Sequence, residues 1–169
     1  MDKRTKKNLS DEAILLRVRK YCALRERSIK EVRKKLTEMG VLEDKIPLVI
    51  QKMQNEGFLN ENRYAAAYAR GKFRNKKWGK RKIEMELKKQ GMGEEMVERG
   101  LHEIEDADYL KVLDNLLAKK WKQIQAKPIG DTYITDDIFS PAVQKLLNYA
   151  IQKGFEYEVV MNRVKKIIR

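Results

Sequence analysis

Cysteine and histidine are almost absent from this chain of 169 residues, which has one of each, Cys22 and His102. A single cysteine cannot form a disulfide within the chain, and two such residues cannot build a Cys/His metal cluster. Cys22 lies on an apolar helical face beside Val18 and Tyr21, so we expect a reduced core residue. His102 stands late in a predicted helix among glutamates, where we expect a surface position. The sequence therefore predicts no metal site.

Catalytic and nucleotide-binding motifs are missing as well. The sequence contains no Walker loop, no GxGxxG and no GxSxG. The acidic pair Asp136-Asp137 comes just before a predicted helix start at Ser140, where carboxylates commonly serve turns and the helix dipole. We predict that the chain is not an enzyme, has no catalytic residue and needs no cofactor.

Long apolar runs are also lacking. No run approaches the roughly 18 residues that a membrane-spanning helix needs, and the first residues have no apolar segment of a signal peptide. Only three prolines and nine glycines interrupt the chain, so we expect flexibility mainly in a basic N-terminal segment, residues 1–9. These features predict a cytoplasmic protein without membrane contact.

What the sequence does contain is helical periodicity through nearly its whole length. Ser28 with Glu31 forms an S-x-x-E capping box, and Ser140-Pro141 combines an N-cap with proline at the first helical position. No segment alternates with a period of two over the length of a strand. The predicted fold class is therefore all-α. Apolar residues at helical spacing include Ile14, Val18 and Cys22, then Val32, Leu36 and Met39, then Ile46, Ile50 and Met53.

A repeat is marked by glycines that are each followed by an apolar residue, a pattern that ends helices because glycine adopts the left-handed conformation. The segments 30–41, 81–92 and 144–155 superimpose on three of these glycines. Each segment has a longer predicted helix before it and a shorter one after it. We predict a tandem array of three three-helix repeats, elongated and curved. The predicted units are 10–59, 60–105 and 106–169, with an insert in the third at about 125–137.

The net charge of +13 is spread along the chain. The segment 1–59 has 15 basic and 9 acidic residues, 60–105 has 12 and 8, and 106–169 has 11 and 8. An even excess favours a long polyanionic partner, because each neutralised phosphate releases counterions. Solubility alone is the alternative explanation.

The strongest functional signal is the segment 63–82, which has nine basic residues and no acidic residue. Lysines and backbone N–H groups at a junction between two helices can hold phosphate, and Gly79 is the expected turn or cap there. Trp78 either covers the edge of the core, which we favour, or stacks on a base. The predicted binding surface contains Arg63, Arg70, Arg74, Lys76, Lys77, Trp78, Lys80, Arg81 and Lys82.

A second basic cluster surrounds the equivalent junction of the first repeat. Its members are Arg25, Arg27, Lys30, Arg33 and Lys34. If the units stack with a regular turn, the two junctions form one stripe. A helix-turn-helix transcription regulator is the competing interpretation, because short helices and positive charge suit that class too. The scattering of the basic residues over successive units favours contact without sequence specificity.

Four motifs also resemble those of a known family, and the resemblance covers essentially residues 12–169. The first is R-E-R-S-x-x-E-x-x-x-x-L-x-x-x-G at 25–40, followed by GFLNENRYAAAYAR at 57–70. The others are W-G-K-R-K-I-x-x-E-L-x-x-x-G at 78–91 and Q-K-G-F-x-x-x-V-V at 152–160. The chain resembles RecX, the regulatory protein of the RecA recombinase. The insert at 125–137 departs from the compact family pattern.

The resemblance implies a modular helical protein that lies in the groove of the RecA–single-stranded DNA filament and bridges its protomers. Such a protein would block filament extension or promote disassembly. It would thereby lower strand exchange, ATP hydrolysis and coprotease activity in recombination, DNA repair and the SOS response. The implied partners are the RecA filament and single-stranded DNA, with duplex DNA as a further candidate. We expect a monomer without cofactor, whose RecA and DNA contacts come from the basic residues named above.

Overall fold

The computed structural model describes residues 10–126 and 139–168, which contain nine α-helices, one π-helical turn and no β-strand. The predicted all-α class is confirmed. The predicted flexible segment 1–9 lies outside the described residues, as does the predicted insert apart from Gln125 and Ala126. The helices are α1 (Asp11–Ala23), α2 (Ile29–Glu38), α3 (Ile46–Asn55), α4 (Glu61–Gly71), the π-turn (Lys72–Lys76), α5 (Lys80–Lys89), α6 (Glu94–His102), α7 (Asp106–Gln125), α8 (Pro141–Gln152) and α9 (Tyr157–Ile167).

Local capping explains where several of these helices begin. The Ser28 hydroxyl accepts a hydrogen bond from the Glu31 backbone N–H at 3.1 Å, and the Glu31 carboxylate accepts one from the Ser28 N–H at 3.0 Å. The predicted capping box is therefore present, and it satisfies two amides that the first turn of α2 leaves without partners. Ser140 caps α8 in the same way, by accepting from the Val143 N–H at 3.3 Å.

Glycine in the left-handed conformation ends four of the helices, as the sequence predicts. A residue with a side chain rarely adopts a positive φ, so glycine stops these helices at little cost. The next apolar residue then folds back, and Val41, Met92 and Phe155 are all buried. The φ angles are 79° at Gly40, 75° at Gly57, 89° at Gly91 and 93° at Gly154.

The buried apolar side chains form two clusters. The small core joins α1–α3 and Leu59, and the large core joins α4–α9. Phe73, Tyr109 and Phe155 tie the large core together across the predicted boundary at 105, with ring centroids 5.9 and 4.9 Å apart. The division into three units stays a prediction, since the buried clusters divide the described residues once, between Leu59 and Tyr64.

The second helices of the three predicted units follow one another head to tail. At the first joint, between α2 and α5, the Ser28 hydroxyl donates to the Gln90 side chain at 3.0 Å. At the second joint, between α5 and α8, the Gly79 amide donates to the Lys153 carbonyl at 2.9 Å. Each positive helix N-terminus thus meets a negative C-terminus, an arrangement that the helix dipoles favour. None of the helices in the described ranges is long and apolar enough to cross a membrane.

Candidate functional site

The junction between α4 and α5 is where the basic segment 63–82 changes direction. The last turn of α4 widens into the π-turn, a feature that often occurs at functional sites. Lys77 follows with φ 53°, the only positive φ of a non-glycine residue in the part of the chain that the structure describes. Its amide still donates to the Phe73 carbonyl at 3.0 Å, and Gly79 is the N-cap of α5 as predicted. The junction therefore presents Arg74, Lys76 and Lys77 as exposed side chains.

Three cations of the segment are neutralised by acids from elsewhere in the chain. The segment 63–82 itself contains no acidic residue, so these partners come from other parts of the chain. The first and third pairs join residues of different predicted units. The ion pairs are Arg63–Glu26 at 2.8 Å, Arg70–Glu103 at 2.5 Å and Lys80–Asp106 at 2.7 Å.

The remaining cations of the segment have no carboxylate within 4.0 Å among residues 10–126 and 139–168. We call this set the junction cations. Most of them are exposed, and Lys72 and Lys82 are half-buried. Positive charge that is not neutralised by the fold remains available to a polyanion. The junction cations are Lys72, Arg74, Lys76, Lys77, Arg81 and Lys82.

Trp78 lies between two of the junction cations. Its ring is half-buried and packs against the large core. The Lys72 and Lys82 ammonium groups lie 4.9 and 4.8 Å from its ring centroid, within the range of cation–π attraction. Lys72 also lies 5.0 Å from the Tyr68 ring centroid. This arrangement agrees with the core-edge interpretation of Trp78 and makes the ring a support that holds two lysines near each other.

Two cations of the first-unit cluster are held by their own surroundings. The Arg25 guanidinium pairs with Glu31 at 2.5 Å, and the same carboxylate completes the capping box of α2. Arg27 stacks over the Tyr21 ring, 3.8 Å from its centroid, and donates to the Tyr21 carbonyl at 3.2 Å. Arg27 therefore stabilises the α1–α2 connection, while about half of the Arg25 side chain remains exposed.

The other three members of that cluster are engaged to different degrees. Lys30 donates to the Lys89 carbonyl at 2.8 Å and so closes the joint between α2 and α5. Arg33 lies 3.8 Å from Glu43, and both side chains are about half exposed or more. Lys34 is exposed and has no carboxylate within 4.0 Å among the described residues. The first cluster thus contributes less free positive charge than the sequence suggests.

A groove of about 310 Å³ lies where the α1–α2 connection faces α4 and the π-turn, and we call it the seam groove. Arg25 and Glu26 form one wall. The opposite wall contains Tyr64, Tyr68, Lys72 and Lys76, which follow one another at intervals of four residues and therefore share one helical face. Ala67, Gly71 and Asn75 complete the lining.

Sequence reasoning missed Tyr68, Lys72 and Gly71 as site residues. The four-residue spacing predicts that Tyr68 and Lys72 share one face of a helix. It does not predict that Arg25 and Glu26 lie opposite that face. Burial raises the pKa of Tyr64 to about 12 and also raises the pKa of Tyr68. Both rings are therefore neutral near physiological pH and do not repel an anion.

Cys22 and His102 lie where the sequence predicts them. Cys22 is buried in the small core and free of any disulfide. Burial raises the pKa of its thiol, which keeps it protonated. His102 is exposed and lies 3.8 Å from Glu98. Within the described ranges, no three His, Cys, Asp or Glu side chains stand close enough together to hold a metal ion.

Comparison with known proteins gives a consistent result. Residues 60–101 match the family model described as RecX, second three-helix domain. The chain is 29% identical over 138 residues to the regulatory protein RecX of Clostridium perfringens strain SM101, covering 82% of this chain and 60% of that protein. It is 25% identical to that of Enterococcus faecalis, covering 83% and 49%. The chain thus spans about half to three fifths of the length of these two relatives.

Solved structures show the same fold at lower identity. The crystal structure of RecX from Lactobacillus salivarius superimposes with a TM-score of 0.76 at 21% identity, covering 94% of this chain and 98% of that one. A second crystal structure, of regulatory protein RecX, superimposes with a TM-score of 0.72 at 18% identity, covering 92% and 79%.

Proposed function

Because this chain belongs to the RecX family, we propose that it regulates a RecA recombinase, mainly as a negative modulator. It binds in the groove of the RecA–single-stranded DNA filament and limits filament growth. ATP hydrolysis and strand exchange by the filament fall as a result, and with them recombination, DNA repair and the SOS response. In this role the chain is a binding protein, and its relatives are named for regulation rather than for a reaction.

One observation carries the DNA side of the proposal: the junction cations have no acidic partner among the described residues. Exposed lysines and arginines attract phosphates, and the counterions released on binding add to the affinity. Three other cations of the same segment are used in ion pairs, so only part of the basic run is available. This distinction leaves six of the nine basic residues of the segment as candidate DNA contacts.

The protein side of the proposal rests on the family relationship. The relatives named above carry RecX in their names, and that family name implies RecA as the partner. A molecule lying in a filament groove contacts protein and DNA together, and a row of head-to-tail helices presents an extended surface suited to that task. The first-unit residues Arg25, Arg33 and Lys34 are the candidates for additional contacts, since their side chains are exposed.

The test adds the purified chain to a preformed RecA filament on single-stranded DNA and follows ATP hydrolysis and filament length by electron microscopy. We expect both to fall as the chain approaches a stoichiometric ratio to RecA. An unchanged rate and length at that ratio would reject the proposal. Sequence-specific binding of duplex DNA in a competition experiment would instead support a transcription regulator.

A further inference from the structure

We propose that the seam groove is a nucleotide subsite, in which one base of a single-stranded nucleic acid inserts while Arg25, Lys72 and Lys76 hold its flanking phosphates. This inference rests on the proposed function, because it specifies how the same surface engages DNA. It goes further by assigning the contact to a groove that exists only where the α1–α2 connection meets α4. Neither a uniformly basic face nor a docking surface for RecA requires such a groove.

The inner surface of the groove suits a flat ring. Tyr68 is half-buried, while Tyr64 is only 3% exposed, so Tyr68 is the ring that a base can reach. The two ring centroids lie 5.7 Å apart, with their planes tilted by 32°. Ala67 and Gly71 lie one turn apart in the same lining and have small side chains or none. A Cβ added to Gly71 would meet nothing within 4 Å. Small residues beside aromatic rings produce an opening of limited size with an apolar interior, which is where bases stack.

The size of the groove limits its occupant. Its volume of about 310 Å³ lies at the lower end of the range for small-molecule sites, roughly 300–1,000 Å³. A helix of a partner protein needs a long apolar groove for several side chains. The seam groove has tyrosines and small residues at its centre and charge at its rim, so a single base is the better match.

The rim provides cations on both sides. Lys72 and Lys76 stand on the π-turn without a carboxylate within 4.0 Å among the described residues. Arg25 stands on the facing wall, paired with Glu31 at 2.5 Å but with about half of its side chain exposed. The one acid of the lining, Glu26, is neutralised by Arg63 at 2.8 Å. A strand whose base enters the groove places a phosphate on either side of it. Cationic N–H donors on both walls match that arrangement, since the guanidinium of Arg25 has more donors than its ion pair with Glu31 uses.

Occupation of the groove would also connect the two cores of the molecule. The α1–α2 connection belongs to the small core and α4 to the large core. Around the groove the two are joined by polar contacts, namely Arg63 with Glu26 and Ser28 with Gln90. A strand bound across this seam contacts both sides, and so its binding stabilises the relative position of the two cores.

The experiment measures fluorescence anisotropy of two labelled oligomers of equal length, oligo(dT) and an abasic oligomer with the same phosphate backbone. We expect the unmodified chain to bind oligo(dT) about tenfold more tightly than the abasic oligomer, because a stacked base adds affinity. Gly71→Leu fills the groove and should abolish this preference while leaving abasic binding intact. Gly93→Leu is the matched control and should keep the preference, because it adds the same side chain at an open position outside the groove.

Ala67→Leu is a second variant that fills the groove, and it provides the same test if Gly71→Leu does not fold. Circular dichroism measures the helical content of each variant. Lys72→Met and Lys76→Met should weaken both oligomers equally and lower the salt dependence, since they remove phosphate contacts. Equal affinity of the unmodified chain for the two oligomers overturns the subsite. A folded filling variant that keeps the base preference overturns it too.

These outcomes are separable from the proposed function. If the base preference is absent but the chain still lowers RecA ATP hydrolysis, the subsite fails and filament regulation stands. If the base preference is present and sensitive to Gly71→Leu while RecA is unaffected, the subsite stands and filament regulation fails.

Discussion

Gly79 lies so close to Gly154 that a Cβ added to Gly79 would stand 2.2 Å from the Gly154 carbonyl carbon and oxygen. The same approach brings the Gly79 amide to the Lys153 carbonyl and the Arg81 amide to the Gly154 carbonyl, at 2.9 and 3.1 Å. The joint between α5 and α8 therefore requires glycine at position 79. Gly79 lies between Lys77 and Arg81, two of the junction cations, so the joint also positions the site.

Replacing Gly79 with alanine should destabilise the protein, because the backbone at Gly154 cannot move away without breaking two hydrogen bonds. We expect a loss of about 1–3 kcal/mol in the free energy of unfolding, measured by urea denaturation. Gly93→Ala is the matched control, since Gly93 is also a helix N-cap in extended conformation but has nothing within 4 Å of its Cβ position. Equal losses in the two variants would contradict the importance of the close approach.

Tyr109 holds the start of α5 to the third predicted unit through its hydroxyl. This hydroxyl accepts from the Lys80 amide at 3.0 Å and donates to the Glu156 carboxylate at 2.5 Å. Burial, followed by the bond to Glu156, raises the pKa of Tyr109, so the phenol stays protonated.

Tyr109→Phe should therefore cost about 1–3 kcal/mol, the penalty of leaving partly buried groups without partners. Thermal denaturation followed by circular dichroism measures the loss. Tyr157→Phe serves as the control because Tyr157 is exposed, and we expect a change within about 0.5 kcal/mol there. A melting temperature of Tyr109→Phe that matches the unmodified protein would show that the two bonds contribute nothing.

Glu56 gives the protein a predictable response to acid. Its hydrogen bonds with Arg19, both at 2.7 Å, lower its pKa from the ordinary value of 4.5. A carboxylate with a lowered folded pKa contributes stability that is fully present above its unfolded pKa. That contribution is lost as the pH falls through the lower, folded value.

We expect Glu56→Gln to be less stable than the unmodified protein at about pH 7, and we expect this difference to be smaller at about pH 3, because protonation of the carboxyl removes the ion pair as the pH falls through the lowered, folded pKa. Urea midpoints at the two pH values measure this. Glu98→Gln is the control, because Glu98 is exposed and its one ion-pair contact among the described residues is with His102, at 3.8 Å. A difference between Glu56→Gln and the parent that stays constant with pH would argue against the ion pair.

Reversing the charge of Lys76, Lys77 and Arg81 together should weaken binding to single-stranded DNA and to the RecA filament. Each lost phosphate contact should also reduce the slope of log affinity against log salt by about 0.7. Lys80 is left unchanged, because its ion pair with Asp106 makes it part of the fold. Anisotropy titrations at several salt concentrations give the slope.

The matched control reverses Lys111, Lys119 and Lys122, three exposed lysines of α7, and so changes the net charge equally. We expect this control to bind more tightly than the junction variant at every salt concentration. If both triple variants lose affinity equally, net charge and not the junction determines DNA binding.

The sequence by itself determined the helical class and many helix ends, because those signals are local. The capping box at Ser28 and Glu31 acts within one turn, and the left-handed glycines Gly40, Gly57, Gly91 and Gly154 act at single residues. Gly79 was likewise recognisable as a cap. The sequence did not show that position 79 requires glycine, because this requirement comes from the close approach of Gly154, which is distant in the chain.

Only the tertiary structure decided which basic residues are paired with acids among the described residues. Arg63, Arg70 and Lys80 look the same in sequence as Arg74 and Lys77, yet the first three are paired with acids. The partners Glu26, Glu103 and Asp106 lie 37, 33 and 26 positions away. Coulomb attraction depends on distance in space, and no local pattern records which distant carboxylate the fold will bring near. The seam groove likewise depends on where the α1–α2 connection comes to lie against α4, and packing alone sets that.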